Sequence, residues 1–273
     1  MLYGGVSVPG SRYYAWAVLD VEDWSSRPAV NGARIQRALS QLVTESLASA
    51  DIDPARVVRQ PRGDGAILAL PGDIAKEVIT AEFVEALRGA VSEYDANCDP
   101  ADLIRLRLAL HAGEGIAGEG EWAGQPVITA CRLVDSPVLK RVLAASTGYS
   151  LAVIVSADWY NAVVREGYVS ADGYREVRAE VKSFADFAWI KVPGRSSPPG
   201  LLPEDDPGRH RARASSAARP SPGGDDGEGK GGINVSGGEF HGTTLIGSQF
   251  HGDVVIGEQH NHGSDRRDRD GGR

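Results

Sequence analysis

The sequence predicts an α+β domain on the ferredoxin-like βαββαβ plan with an added α-β-β unit, then a linker and a short β-prone repeat tail. Three observations carry that expectation. Apolar runs of strand type alternate with stretches of helical period from Tyr13 to Val192. Between two β-rich arms, Val57–Leu70 holds the turn Gly63-Asp64-Gly65, the strongest kind of short hairpin signal. At Pro193 the composition breaks, and Pro, Gly, Ser, Asp and Arg replace nearly all apolar residues.

Residues 1–12 form a Gly-rich lead-in, and the first strand covers about Tyr13–Val21. Ile35, Leu39, Leu42, Val43 and Leu47 recur at helical spacing within Ala33–Ala50, and Pro54 closes that segment. The hairpin follows, then a second helix, about Ala75–Ala96, burying Val78, Ile79, Phe83, Leu87 and Val91. In Leu103–His111, Leu106, Leu108 and Leu110 alternate with arginines and Ala109, which is strand periodicity. The glycines of Ala112–Gly118 mark a turn into another short strand. Gly124–Leu143 reads as a loop entering a helix, Thr129 to Leu143, which Ser136-Pro137 interrupts and restarts. Leu151–Val155 is a short buried strand, Ser156 caps the helix Trp159–Glu166, and Tyr174–Val181 and Phe187–Val192 close the domain.

The whole chain has 273 residues, 41% of them hydrophobic and 24% charged, which is the composition of a globular protein. No apolar run approaches the roughly 18 residues of a membrane span. The start, Met-Leu-Tyr-Gly-Gly, lacks the features of a secretory signal, and only Cys98 and Cys131 occur, so a cytoplasmic location is expected. A net charge of −8 argues against a nucleic-acid surface but leaves room for a nucleotide, which needs only a few local donors.

The first strand ends in Asp20. A core strand does not finish in a carboxylate without a partner, because an unpaired buried charge costs several kcal/mol. Asp64, at the hairpin tip, belongs on the neighbouring strand pair. Two carboxylates at adjoining strand edges suit a hard divalent cation, Mg²⁺ or Mn²⁺, completed by water and phosphate oxygens. Arg132, on the helix after Gly124, and Lys182, between the closing strands, are cations placed to neutralise phosphate. Read singly, each has a plainer account: Asp-Gly is an ordinary hairpin turn, Arg132 a surface helix arginine, Lys182 a solvated strand residue. His111 reads as a structural strand-end histidine, Trp16 and Trp189 as core, Cys131 as packing, and Trp24 and Trp122 as neighbours of the candidate site.

Taken in order, Asp20, Gly63-Asp64-Gly65, His111-Ala-Gly-Glu114, Gly124…Ala130-Cys131-Arg132-Leu133 and Lys182 resemble the catalytic domain of class III nucleotidyl cyclases across Tyr13–Val192. The resemblance implies a homodimer with two composite sites, a nucleoside triphosphate as substrate, and two divalent cations. Asp20 and Asp64 of one copy would bind metal. Arg132 of the other would stabilise the transition state, and Lys182 would bind phosphate. Gln60 and Glu121 stand at the base-selecting positions, where adenylate cyclases carry Lys with Asp and guanylate cyclases Glu with Cys. Two further positions depart from the pattern. Ile128 replaces a ribose-orienting asparagine, and Asp23 replaces a glycine. Two readings follow: a divergent cyclase making a cyclic mononucleotide, in bacterial signalling or anti-phage defence, or an inactive cyclase-like nucleotide-sensing or scaffolding module.

Residues 193–231 are expected as a disordered linker and 263–273 as a charged end. Between them, in 232–262, Phe240-His241-Gly242 and Phe250-His251-Gly252 anchor two copies of one decapeptide. Alternating β-formers with frequent Gly suit β-arches that stack between chains, resembling the Gly-rich amyloid-type motifs of bacterial immunity proteins. Self-association or recruitment of an effector is the expected role. The alternative is a weakly structured tail.

Overall fold

A computed structural model of the protein describes residues 10–118 and 121–208. The first residues of the lead-in, the repeat tail and the charged end lie outside the described residues, as does the side chain of Glu121.

Strand β1 (Arg12–Val21) is central and buried from Tyr14 to Leu19. Its alternate side chains serve two separate cores: Ala15, Ala17, Leu19 and Val21 in one, Tyr14, Trp16 and Val18 in the other. That is why the strand reads as a continuous apolar run rather than an amphipathic one. Helix α1 (Ala29–Ser49) packs on the first core with Ile35, Leu39, Leu42, Val43 and Leu47. β2 (Val58–Arg62) and β3 (Gly65–Pro71) form the hairpin, with β3 antiparallel to β1. A helical stretch follows as α2 (Lys76–Val78), a wider turn over Ile79–Phe83 and α3 (Val84–Asn97), again on the first core.

β4 (Leu106–Gly118) is antiparallel to β1 and longer than expected. The glycines of Ala112–Gly118 do not end it, because Gly113 and Gly115 pair with Tyr14 and Arg12 of β1. A side chain at Gly115 would strike the Trp16 ring, so glycine there is a packing requirement rather than a turn signal. β5 (Glu121–Ala123) folds back on its end. α4 (Gln125–Val134) and α5 (Pro137–Ala145) cover the second core, with Pro137 starting the second helix in the first-turn position it tolerates. β6 (Leu151–Ser156) runs parallel to β4, and Ser156 Oγ accepts from Trp159 N–H to cap α6 (Ala157–Tyr160). β7 (Arg175–Val181) and β8 (Phe184–Lys191) finish the sheet, whose order is β2-β3-β1-β4-β6-β8-β7 with β5 on β4.

The architecture is mixed α+β with a large eight-stranded sheet. The expected linker does not begin at Pro193. Residues 193–208 are described, with a short turn at Pro203–Asp205, and Arg141 Nη2 of α5 donates to both Asp205 carboxylate oxygens, at 2.5 and 2.8 Å. Its carboxylate is largely buried, and Leu201 packs on the second core. One ion pair and one leucine anchor a segment whose composition resembles a linker. No helix among the described residues is long and apolar enough to cross a membrane.

Candidate active site

Antiparallel partners point to the same side of a sheet, so the registers locate the site. Asp20 lies opposite Gly65 on β3 and opposite Arg107 on β4. Gln60 lies opposite Ile67, and Arg62 opposite Gly65. Trp16, Val18, Ile67 and Ala109 of those strands belong to the second core, so Asp20, Gln60, Arg62 and Arg107 all face the side covered by α4.

The hairpin tip is stitched to the end of β1: Val21 N–H donates to the Asp64 carbonyl at 2.7 Å. This closeness depends on Gly65, where a Cβ would fall 2.0 Å from the Leu19 carbonyl oxygen. The backbone of Asp64 is thereby held against the end of β1, and its charge is felt at Asp20. Burial raises the Asp20 pKa most, the adjacent Arg107 opposes that, and the charges of Asp64 and Asp135 raise it further. Asp23 follows with φ 57°, a left-handed conformation that glycine takes freely and aspartate tolerates. It is exposed, and its carbonyl accepts from Ser26 Oγ at 2.8 Å, so its departure from the family pattern leaves the backbone path intact.

The partner that the Asp20 carboxylate finds in the structure is Arg107, which the sequence reading did not name. Arg107 Nε donates to Oδ2 at 2.6 Å and Nη2 reaches the same oxygen, with side-chain exposures of 10% and 14%. On the next rung Arg105 pairs with Glu22 at 3.2 Å. Sequence reading missed Arg107 as a site residue. The available signal was the match of two misfits, a carboxylate closing one core strand and arginines interrupting another.

Beside this acid edge lies a groove of about 570 Å³. Arg62, Arg132, Lys140 and Lys182 line it, with Ile67, Trp122, Ile128 and Val181 as an apolar wall. Lys182 enters from the β7–β8 turn with φ 54°, and the Arg132 guanidinium lies 5.8 Å from the Phe184 ring centre. Asp135, also in the wall, is held by Lys140 at 3.1 Å. The described ion pairs include none with Arg62, Arg132 or Lys182. Ile128 is 42% exposed, so the position where the family places asparagine presents a hydrocarbon. Gln60 is half-buried and its Oε1 finds no partner. Trp122 lines the groove, and Trp24 reaches the glycine beside Asp64; both stand where expected.

His111 stays out of the site. Its Nδ1 lies 2.8 Å from Ser156 Oγ, and burial lowers its pKa. Cys131 is half-buried at the groove, with its pKa raised by burial.

The described residues contain no group of three or more His, Cys, Asp or Glu arranged to hold a metal ion. A two-carboxylate site is a smaller demand. Asp20 Oδ1 carries none of the bonds to Arg107, Asp64 is exposed beside it, and hard oxygen donors suit Mg²⁺ or Mn²⁺. The residues therefore fit a dication bound chiefly through phosphate oxygens, provided that Arg107 shares or yields Asp20.

No family model matches the chain, and no curated protein does. Among solved structures, it is similar to an adenylate/guanylate cyclase/hydrolase from Silicibacter pomeroyi, with TM-score 0.48, 16% identity, and 67% of this chain and 98% of that one covered. The guanylyl cyclase Cya2 matches with TM-score 0.48 and 14% identity over 67% and 93% of the two chains. A guanylate cyclase domain from Catenaria anguillulae, solved with GTP, matches with TM-score 0.44 and 15% identity over 67% and 98%. Its structural neighbours are adenylate and guanylate cyclase domains. At these identities the likeness concerns the fold alone.

Proposed function

We propose that residues 13–192 are a divergent class III-type nucleotidyl cyclase domain, acting as a homodimer on a nucleoside triphosphate. What supports this most is that an acid pair and a groove richer in cations than anions share one face of the sheet in a chain of net charge −8. The groove suits a phosphate chain, its cations meeting phosphate oxygens and Trp122 offering a flat apolar surface to a base. Gln60 and Glu121 would read that base, as the resemblance implies, and the unpartnered Gln60 Oε1 calls for an N–H donor.

The reaction forms a bond from the ribose 3′-oxygen to the α-phosphorus. It breaks the α–β bridging bond, frees pyrophosphate and releases the 3′-hydroxyl proton. Asp20 and Asp64 would hold Mg²⁺ or Mn²⁺, whose chemistry is to lower the pKa of the 3′-hydroxyl and neutralise phosphate charge. Arg132, lent by the second copy of the chain, meets charge that grows on the α-phosphate oxygens, while Lys182 holds the leaving phosphates. Incubating the protein with each of the four ribonucleoside triphosphates and Mn²⁺ tests this. A cyclic mononucleotide from at least one is expected, and its loss in Arg132→Ala.

A second reading keeps nucleotide binding without turnover. It is favoured by the exposed Ile128, which offers a ribose no hydrogen bond, and by the prior claim of Arg107 on Asp20. Nucleotide binding with no cyclic product from any of the four would select it. In either case residues 232–262 act as a self-association or recruitment tail. Deleting them leaves the dimer but removes higher assemblies in sedimentation.

A further inference from the structure

We infer that Arg107 is an internal counter-ion that must leave Asp20 before a dication settles there, so that cation and phosphate enter the acid edge only together. The inference rests on the cyclase-type reading of Asp20 and Asp64 and adds a rule for how that site fills.

Three features carry it. Asp20 and Arg107 are direct cross-strand partners, and both the Nε and Nη2 contacts fall on one oxygen, Oδ2. Both side chains are nearly dry, at 14% and 10% exposure, so neither charge can be handed to water cheaply. The adjacent rung is already matched, because Glu22 is engaged by Arg105.

A dication arriving alone would sit against the guanidinium and leave it buried and unpaired. An anion arriving alone would have to draw Arg107 away and leave Asp20 and Asp64 unneutralised. When both arrive, the dication takes the carboxylates, a phosphate oxygen takes Arg107, and every charge has a partner. Because binding free energies are reciprocal, each ligand tightens the other by the same factor.

The test uses the full chain, free Mn²⁺ read by electron paramagnetic resonance, and inorganic tripolyphosphate as a phosphate probe without a base. Wild type should bind Mn²⁺ weakly alone and take it up with tripolyphosphate. Arg107→Gln should bind Mn²⁺ alone roughly tenfold more tightly, within the usual range of coupling between sites. Adding Asp20→Asn should abolish that gain, and in Arg107→Gln tripolyphosphate should promote uptake by a smaller factor than in wild type. Circular dichroism confirms folding, and Arg107→Lys, which keeps the charge but loses the fork, should show a smaller gain of the same sign. Wild type and folded Arg107 variants binding Mn²⁺ alone with equal affinity would overturn the inference. If no protein takes up Mn²⁺ with or without tripolyphosphate, the metal reading itself fails and this inference falls with it.

Discussion

The acid edge and the neighbouring groove face the same side of the sheet, yet they treat charge in opposite ways. At the edge, charges meet in cross-strand pairs, Asp20 with Arg107 and Glu22 with Arg105. In the groove, Lys140 has Asp135, while Arg62, Arg132 and Lys182 are in none of the described ion pairs. Water accounts for the difference. Asp20 and Arg107 are closed over by β1, β4 and the hairpin, and an unpaired ion there would carry a large desolvation cost. The groove is open, so its cations stay solvated until a ligand replaces that water. Pairing at the edge therefore serves the fold first, and the unpaired cations of the groove are available for binding.

The comparison breaks most visibly if the edge is cut on one side only. Arg107→Gln leaves the Asp20 carboxylate buried without its cation and should cost about 3–5 kcal/mol in urea unfolding. Asp20→Asn combined with Arg107→Gln should cost less than Arg107→Gln alone, because no lone charge remains. Additive losses in the double-mutant cycle would show that the pair is not coupled. Next in size are the groove substitutions. Arg132→Ala and Lys182→Ala should each weaken tripolyphosphate binding roughly tenfold in calorimetry, while moving stability by no more than about 0.5 kcal/mol. A stability loss at Arg132 as large as that at Arg107 would erase the distinction between the two regions.

Much of this was readable in the chain, for physical reasons that also explain the gaps. Helical spacing in Ile35–Leu47 and the Gly63-Asp64-Gly65 turn are local signals, and α1 and the β2–β3 hairpin formed where they pointed. The nearness of Asp20 and Asp64 followed from placing two strand ends side by side. Arg107 was not foreseen because its meaning is non-local. An arginine alternating with leucines looks like the solvated face of an amphipathic strand until the α4 and α5 layer is known to cover that face. Gly113 and Gly115 misled for a related reason: Gly113 makes room for Pro126 of α4 and Gly115 for the Trp16 ring, constraints that the local sequence does not show. The anchored segment 193–208 hangs on Asp205 and Arg141, and composition says nothing about one well-placed pair.

The smallest effect belongs to His111, a titrating group that the site does not use, and it serves as a control. Its ring is buried on β4, with Nδ1 2.8 Å from Ser156 Oγ, an oxygen that also accepts from Trp159 N–H. Burial lowers its pKa, Asp158 and Asp186 pull the other way, and Lys76 adds to the lowering. A lowered folded-state pKa means that below the ordinary histidine value of about 6.5 the unfolded chain takes up a proton that the folded one refuses. The stability contributed by the neutral ring is thus complete above that pH and is lost as pH falls from it toward the folded-state pKa. His111→Gln should flatten the stability profile between pH 6.5 and the folded-state pKa while leaving tripolyphosphate binding at neutral pH unchanged. The sheet centre would then titrate separately from the groove. If the substitution left the acid slope as steep as before, the proton uptake would have to be assigned elsewhere, and the acid edge would be the first place to look.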